Sequence, residues 1–268
     1  MKPTTAPGSA RVLAREAVEE GAECVVAAGG DGTLNEVLNG IGDADRGFER
    51  VRLGVLPLGT VNVFARELGL PLDLESAWQT VMAGHETRID LPFAEFMAEE
   101  REVRRYFIQL GGAGIDARAV ELVDQSLKRR IGFAAYALAG LRVLNERKPK
   151  VRVMAEGRRR EAELVLLGNG RYYGGTLTVF PKAQLQDGQF SVRLIQQAGW
   201  GFALGCFWGW ITGRLGDAGG AEVFRAKSVA LESDQRVPLQ LDGEWVGTLP
   251  ARFGLHPRAL WVVVPGAG

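Results

Sequence analysis

The spacing of hydrophobic positions changes about a third of the way along the chain. Helical spacing begins at Ala10, with Val12, Leu13, Ala17 and Val18 on one face, and Gly21 closes that segment. The apolar run Cys24–Ala28 reads as a strand, and Leu34, Val37, Leu38 and Ile41 then resume helical spacing. A second apolar run at residues 52–56 leads into a helix over residues 63–68, stopped by Gly69 and Pro71, and a further helical pattern covers residues 74–83. Helix–strand–helix–strand–helix is the signature of a parallel α/β sheet.

Beyond Thr87-Arg88-Ile89-Asp90, strand patterns dominate. They fall at residues 106–111, 151–155, 163–168, 176–180, 190–195, 221–232, 237–241 and 260–264, punctuated by Gly and Asn-Gly. Two helical stretches interrupt them, Arg118 to Asn145 and Trp200 to Leu215. The expected fold is therefore α/β plus β. An N-terminal parallel-sheet nucleotide-binding domain (1–90) is followed by a mainly antiparallel β-sandwich domain with inserted helices (91–268). The end of the chain is expected to return to the first domain, and the active cleft to lie between the two.

Composition narrows the function. The formal net charge is +0, so a nucleic-acid partner has no electrostatic support. Cys24 and Cys206 lie in apolar runs, as reduced core cysteines of a cytosolic protein do, and His85 and His256 are too isolated to suggest zinc. No signal peptide is visible, and the apolar segment from Gly199 to Gly213 is too short and glycine-rich to span a bilayer. A cytoplasmic location is expected, with at most peripheral contact at the inner membrane face.

The candidate chemistry sits at strand ends. Gly29-Gly30-Asp31-Gly32-Thr33-Leu34-Asn35-Glu36 joins the first strand to a helix. Glycines let the backbone approach a ligand, and a new helix directs its first N–H groups and positive dipole end into the turn, where phosphate binds. A carboxylate there is out of place in a bare phosphate cradle, so Asp31 implies Mg²⁺ or a hydroxyl awaiting deprotonation. The bland alternative is a tight turn with Asp31 as a helix cap. Pro57-Leu58-Gly59-Thr60-Val61-Asn62 follows the second strand, offering Gly59, Thr60 and Asn62 to a phosphate or ribose, or simply capping a helix. Asp242-Gly243-Glu244 and Asp187-Gly188 read equally as acids in a cleft and as hairpin turns.

Taken together these segments resemble the soluble diacylglycerol kinase and sphingoid-base kinase family. GGDGT, P-x-G-T-x-N-x-x-A-R, G-N-x-x-x-x-G-G, A-x-L-x-D-G and D-G-E occur here in the family's order, from about residue 22 to 264. The resemblance implies an ATP-dependent lipid kinase acting on the hydroxyl of diacylglycerol or a sphingoid base. It places Gly30 to Glu36 and Thr60 at the ATP site, with Thr4 matching a nucleotide-contacting threonine. It makes Glu244 the proton acceptor, a role Asp31 could share or support through Mg²⁺. It also matches Asp187, with backbone oxygens of Gln184 and Gln189, to a structural Mg²⁺ site. Asp31→Ala is expected to abolish lipid phosphorylation and leave the fold intact.

Two departures stand out. Several members begin with a strand and an asparagine-proline-glycine loop that precede this chain's first residues, so the nucleotide domain is expected to lack its first strand and helix. An acid that some members carry after the second loop's asparagine is Val63 here. A lipid substrate also requires a membrane surface, for which Lys128-Arg129-Arg130 and Trp200, Phe207, Trp208 and Trp210 are candidates. A homodimer is compatible with the sequence. The competing readings are a small-molecule kinase of the NAD kinase type, which shares only the first loop, and a non-catalytic lipid- or nucleotide-binding module.

Overall fold

A computed structural model describes residues 2–122, 140, 142–212 and 220–266. Helix α1 (Ser9–Glu19) precedes β1 (Cys24–Gly29), which runs through the glycine turn into α2 (Asp31–Asp43). A short α3 (Gly47–Arg50) leads to β2 (Arg52–Pro57), followed by α4 (Val63–Glu67) and α5 (Leu74–Ala83). β1 and β2 pair in parallel, from Cys24 opposite Arg52 to Gly29 opposite Pro57. The helical stripes read from the sequence bury as expected: Ala10, Ala14 and Val18 of α1 and Leu34, Leu38 and Ile41 of α2 share one core with Val25, Leu53 and Val55. Cys24 is only half-buried at the start of β1, outside that core.

Strand β3 (Glu86–Ala98) turns back into β4 (Arg101–Tyr106), and β5 (Leu110–Gly114) leads into α6 (Ile115–Leu122). Then come β6 (Val151–Ala155), β7 (Arg158–Ala162), β8 (Leu164–Gly168), the small hairpin β9 (Tyr172–Tyr173) and β10 (Leu177–Thr178), and β11 (Phe190–Ile195). Helix α7 (Trp200–Thr212) precedes β12 (Glu222–Ala226), β13 (Val229–Glu232), β14 (Pro238–Leu241) and β15 (Glu244–Val263). Neighbours follow the order β12-β11-β8-β5-β14-β15-β13-β6-β7, antiparallel throughout. This path curls until its ends meet: Arg160 on β7 pairs with Glu222 on β12 at 2.6 Å and lies over the Phe224 ring. Inside, Phe107 packs against Phe190 and Phe253 with ring centroids 6.1 and 5.9 Å apart.

β15 unites the two layers. It starts beside β14 and runs antiparallel to β3 from Thr248 opposite Met97 to Val263 opposite Glu86. Its end lies parallel to β2, with Trp261 opposite Arg52. The strand expected at residues 106–111 is broken at Phe107–Gln109, where a buried carboxylate described below takes the Ile108 and Gln109 N–H groups out of the ladder. The run at 221–232 is two strands rather than one. Most of the long helical stretch expected from Arg118, including Lys128-Arg129-Arg130, lies outside the described residues, as does the stretch 213–219.

Candidate active site

The parallel pairing of β1 and β2 brings their C-terminal loops into backbone contact. The Leu58 N–H donates to the Gly29 carbonyl at 3.1 Å. A Cβ on Gly59 would lie 2.4 Å from the Gly30 Cα, so the two loops meet at a spacing that only glycine allows. Asn62, in a left-handed conformation with φ 53, braces the second loop: its Oδ1 accepts from the Gly59 N–H at 2.9 Å and its Nδ2 donates to the Gly59 carbonyl at 2.7 Å. Helix α2 begins directly at this junction. Its N-cap is Gly30, which supplies no side-chain cap, and the first intrahelical bond runs from the Leu34 N–H to the Gly30 carbonyl at 3.0 Å. The N–H groups of Asp31, Gly32 and Thr33 precede that bond and have no intrahelical acceptor.

Asp31 spans the two loops. Its Oδ2 accepts from the Val63 N–H at 3.1 Å and its Oδ1 from the Phe64 N–H at 3.3 Å, so it caps α4. The capping role weighed for it in the sequence is present, on the neighbouring loop's helix rather than its own. For the same reason Asp31→Ala carries a stability cost as well as any loss of activity, since the Val63 and Phe64 amides of α4 donate to that carboxylate.

Glu244, the first residue of β15, comes to the glycine turn from the other layer. A Cβ on Gly32 would lie 3.1 Å from Glu244 Oε1. Asp242, two residues earlier, fixes this approach. It occupies a left-handed conformation (φ 49), followed by Gly243 at φ 79. Its Oδ2 accepts from the Ile108 N–H at 2.8 Å and from Asn35 Nδ2 at 3.1 Å. Its Oδ1 accepts from the Gln109 and Leu110 N–H groups at 2.9 and 3.0 Å. Burial pushes this carboxyl upward from the ordinary carboxylate range, while the four donors pull it back. Asn39, one turn beyond Asn35, donates to the Tyr106 carbonyl and accepts from the Tyr106 N–H, both at 2.9 Å. One face of α2 is thereby stitched to residues 106–110 and to the turn that carries Glu244. Two asparagines four apart in an apolar helix were the sequence signal for this seam; Asn39 was missed.

Arg105 carried no such signal. It precedes the Tyr106–Asn39 contact on β4, and burial lowers its pKa while Glu244, Glu36 and Asp43 oppose that from within electrostatic reach. Glu36, expected at the ATP site, holds the start of α1, accepting from the Gly8 N–H at 2.8 Å and the Ala10 N–H at 3.1 Å. Leu34 is buried in the core, and the Thr33 side chain packs over Gly29, where a Cβ would lie 2.6 Å from Thr33 Cβ. The side chains of Leu34, Asn35, Glu36 and Asn62 thus build the loops' frame, whereas Thr4 and Thr60 are exposed.

The turn proposed for a structural Mg²⁺ does not fit one. Asp187 Oδ1 accepts from the Gln189 N–H at 3.1 Å, and its Oδ2 pairs with the guanidinium of Arg225. A cationic side chain stands where a metal would need to be. A cleft of about 510 Å³ lies nearby, lined by Glu67, Thr87, Arg171, Gln184 and neighbouring residues, and includes none of the glycine-turn residues. Glu67, also unnoticed in the sequence, joins the layers there: its nearly buried carboxylate accepts from Arg171 Nε at 2.9 Å and the Arg171 N–H at 2.7 Å.

Two family profiles match the chain. The family profile described as "Diacylglycerol kinase catalytic domain" matches residues 1–94, and that described as "YegS C-terminal NAD kinase beta sandwich-like domain" matches residues 111–264. A protein named diacylglycerol kinase from Staphylococcus carnosus is 33% identical over 255 residues, which cover 93% of this chain and 79% of that one. The chain belongs to the diacylglycerol kinase family. A Staphylococcus aureus member is 33% identical over 263 residues. The solved structure of a putative diacylglycerol kinase from Bacillus anthracis superposes with a TM-score of 0.79 at 23% identity, covering 97% of this chain and 82% of that one. Yeast NADH kinase shares the fold at a greater distance, with a TM-score of 0.52 and 11% identity. Membership makes the protein a kinase-type phosphotransferase with the catalytic region of that family. Among the described residues, no helix is long and apolar enough to cross a membrane.

Proposed function

We propose that the protein is an ATP-dependent lipid kinase that transfers the γ-phosphoryl group to the hydroxyl of a membrane lipid, with diacylglycerol as the first acceptor to test. The observation that carries this reading is the Glu244 carboxylate against Gly32, at the uncapped start of α2. Phosphoryl transfer depends chiefly on positioning and charge stabilisation. The N–H groups of Asp31, Gly32 and Thr33 are suited to hold phosphate oxygens, helped by the dipole of a thirteen-residue helix. Glu244 then accepts the proton of the acceptor hydroxyl on a side-chain oxygen. The hydroxyl oxygen bonds to the γ-phosphorus as the bond to the β–γ bridging oxygen breaks, and ADP leaves.

Asp31 is the weaker candidate for base, because a proton on either of its oxygens would disturb an α4 amide. Among the described residues no group of three or more His, Cys, Asp or Glu side chains is placed to hold a metal. A Mg²⁺ ion accompanying the nucleotide would be held on the protein side by the Asp31 carboxylate, with Glu244 beside the same turn. When bound, that ion supplies charge neutralisation at the phosphates.

The test is incubation with labelled ATP and, separately, diacylglycerol in mixed micelles, a sphingoid base, and NAD. Labelled phosphatidic acid that falls by about 10²–10⁴-fold in Glu244→Gln, with unchanged melting, supports the proposal. Label only in NADP, or full turnover by Glu244→Gln, refutes it.

A further inference from the structure

Helix α7 presents an edge that the catalytic scheme does not use. Trp200, Leu204 and Trp208 recur every four residues and are 54, 66 and 67% exposed. Successive positions at this spacing share one side of a helix. The whole helix, WGFALGCFWGWIT, contains no charged residue. Its other side is seated: Phe202 and Ala203 pack on a buried cluster that includes Leu110, Ile115, Leu166 and Phe180. Leu110 is also the residue whose N–H binds Asp242, two residues before Glu244. The apolar body beneath α7 is therefore continuous with the turn that carries the proposed base.

We propose that the Trp200–Leu204–Trp208 edge of α7 seats the protein on a lipid bilayer and so orients the candidate site toward the membrane. This rests on the lipid-kinase reading, since a bilayer is where such an acceptor resides. Charge directs the choice of occupant. The chain's formal net charge is +0 and α7 carries no charged residue, so on this face the contact is apolar insertion. Tryptophan suits that depth, with an apolar ring and a polar N–H for the headgroup layer. A second apolar edge, Leu74, Trp78 and Met82 on α5, fits less well. It begins with the acids Asp73 and Glu75, which an anionic surface repels, and it packs on the nucleotide layer.

Sedimentation with phosphatidylcholine–phosphatidylglycerol vesicles, without nucleotide, tests the idea in the full chain. Combined Trp200→Ser, Leu204→Ser and Trp208→Ser substitutions are expected to weaken vesicle binding at least tenfold, about 1.4 kcal/mol. Turnover of a monomeric short-chain diacylglycerol should be unchanged, which also shows that the variant folds. The matching α5 variant, Leu74→Ser with Trp78→Ser and Met82→Ser, should bind vesicles as the wild type does. Brominated phosphatidylcholine should quench wild-type tryptophan fluorescence, a readout that needs no variant. Wild-type vesicle binding by the α7 variant overturns the proposal, as does a dimer-to-monomer change in that variant without altered vesicle binding. Vesicle binding without phosphorylation of any lipid would instead overturn the kinase reading and leave the docking face standing.

Discussion

Asp242→Asn isolates the seam between the two layers. Asparagine is nearly isosteric and tolerates the left-handed conformation at φ 49, so the turn itself is preserved. Each carboxylate oxygen accepts two donors: Ile108 N–H and Asn35 Nδ2 on one, Gln109 and Leu110 N–H on the other. Whichever oxygen becomes an amide NH₂, two buried donors lose their acceptor. At about 1–3 kcal/mol for each unsatisfied group, the expected destabilisation is about 2–6 kcal/mol. That is a large share of the about 5–15 kcal/mol by which folded domains are stable. Asn35→Ala removes one donor and leaves the carboxylate three, so about 0.5–1.5 kcal/mol is expected. Because both changes act on one network, the double variant should cost less than the sum. Guanidinium unfolding of the four proteins measures all three quantities. Turnover adds a second readout, since Glu244 is two residues away and a misplacement of about 1 Å at a reacting group costs about 10²-fold. A loss below about 0.5 kcal/mol for Asp242→Asn, the range of an ordinary surface change, would refute the reasoning.

Other expectations follow from single contacts. Asp31→Asn leaves one α4 amide unpaired, so the melting temperature should fall together with activity, by about 1–3 kcal/mol of stability; activity loss with unchanged melting would contradict the capping role. Because Arg225 occupies Asp187, the nucleotide-free protein should melt at the same temperature with Mg²⁺ or with chelator, while Arg225→Ala should melt lower and respond to Mg²⁺; a Mg²⁺-dependent rise in the wild type would disprove the substitution of guanidinium for metal. His256 stacks on Phe93 at 4.8 Å, and desolvation, then the Arg104 charge, hold its pKa below the usual 6.5. The unfolded chain binds that proton first, so the stability from the neutral ring is complete above pH 6.5 and lost as pH falls toward the folded value. The effect is small on an exposed ring, and His256→Phe should flatten the melting curve's pH dependence below 6.5; an unchanged slope would refute it.

The sequence carried the strand–turn–helix units well, because α2 and β1 declare themselves by period and by the glycines that link them. The two glycine loops meet because adjacent parallel strands end on the same side. What the sequence could not show was the division of labour among polar side chains. Asn35, Glu36 and Asn62 sit inside recognisable motifs, yet Asn35 bonds the distant Asp242 carboxylate, Glu36 holds the Gly8 and Ala10 N–H groups of α1, and Asn62 braces its own loop at Gly59. Glu67 takes the Arg171 and Tyr172 N–H groups from far along the chain, and the charges that act on Arg105 are as distant; neither leaves a local periodicity. Of the two long strands, β3 was missed and only the end of β15, residues 260–264, was read; register shifts between Thr248 and Ala251 and between His256 and Leu260 interrupt their pairing.

β15 also has a mechanical meaning. One continuous strand holds Glu244 at its first residue and completes the sheet beside β2 at its last. A clamshell rotation of the two halves about residue 90 would have to tear the β3–β15 ribbon that crosses that position. Movement that admits and releases ligands must then come from flexing loops or from torsion along the ribbon. For the same reason, severing the chain at residue 90 should yield an N-terminal fragment with a raw strand edge at β2, not a self-sufficient unit.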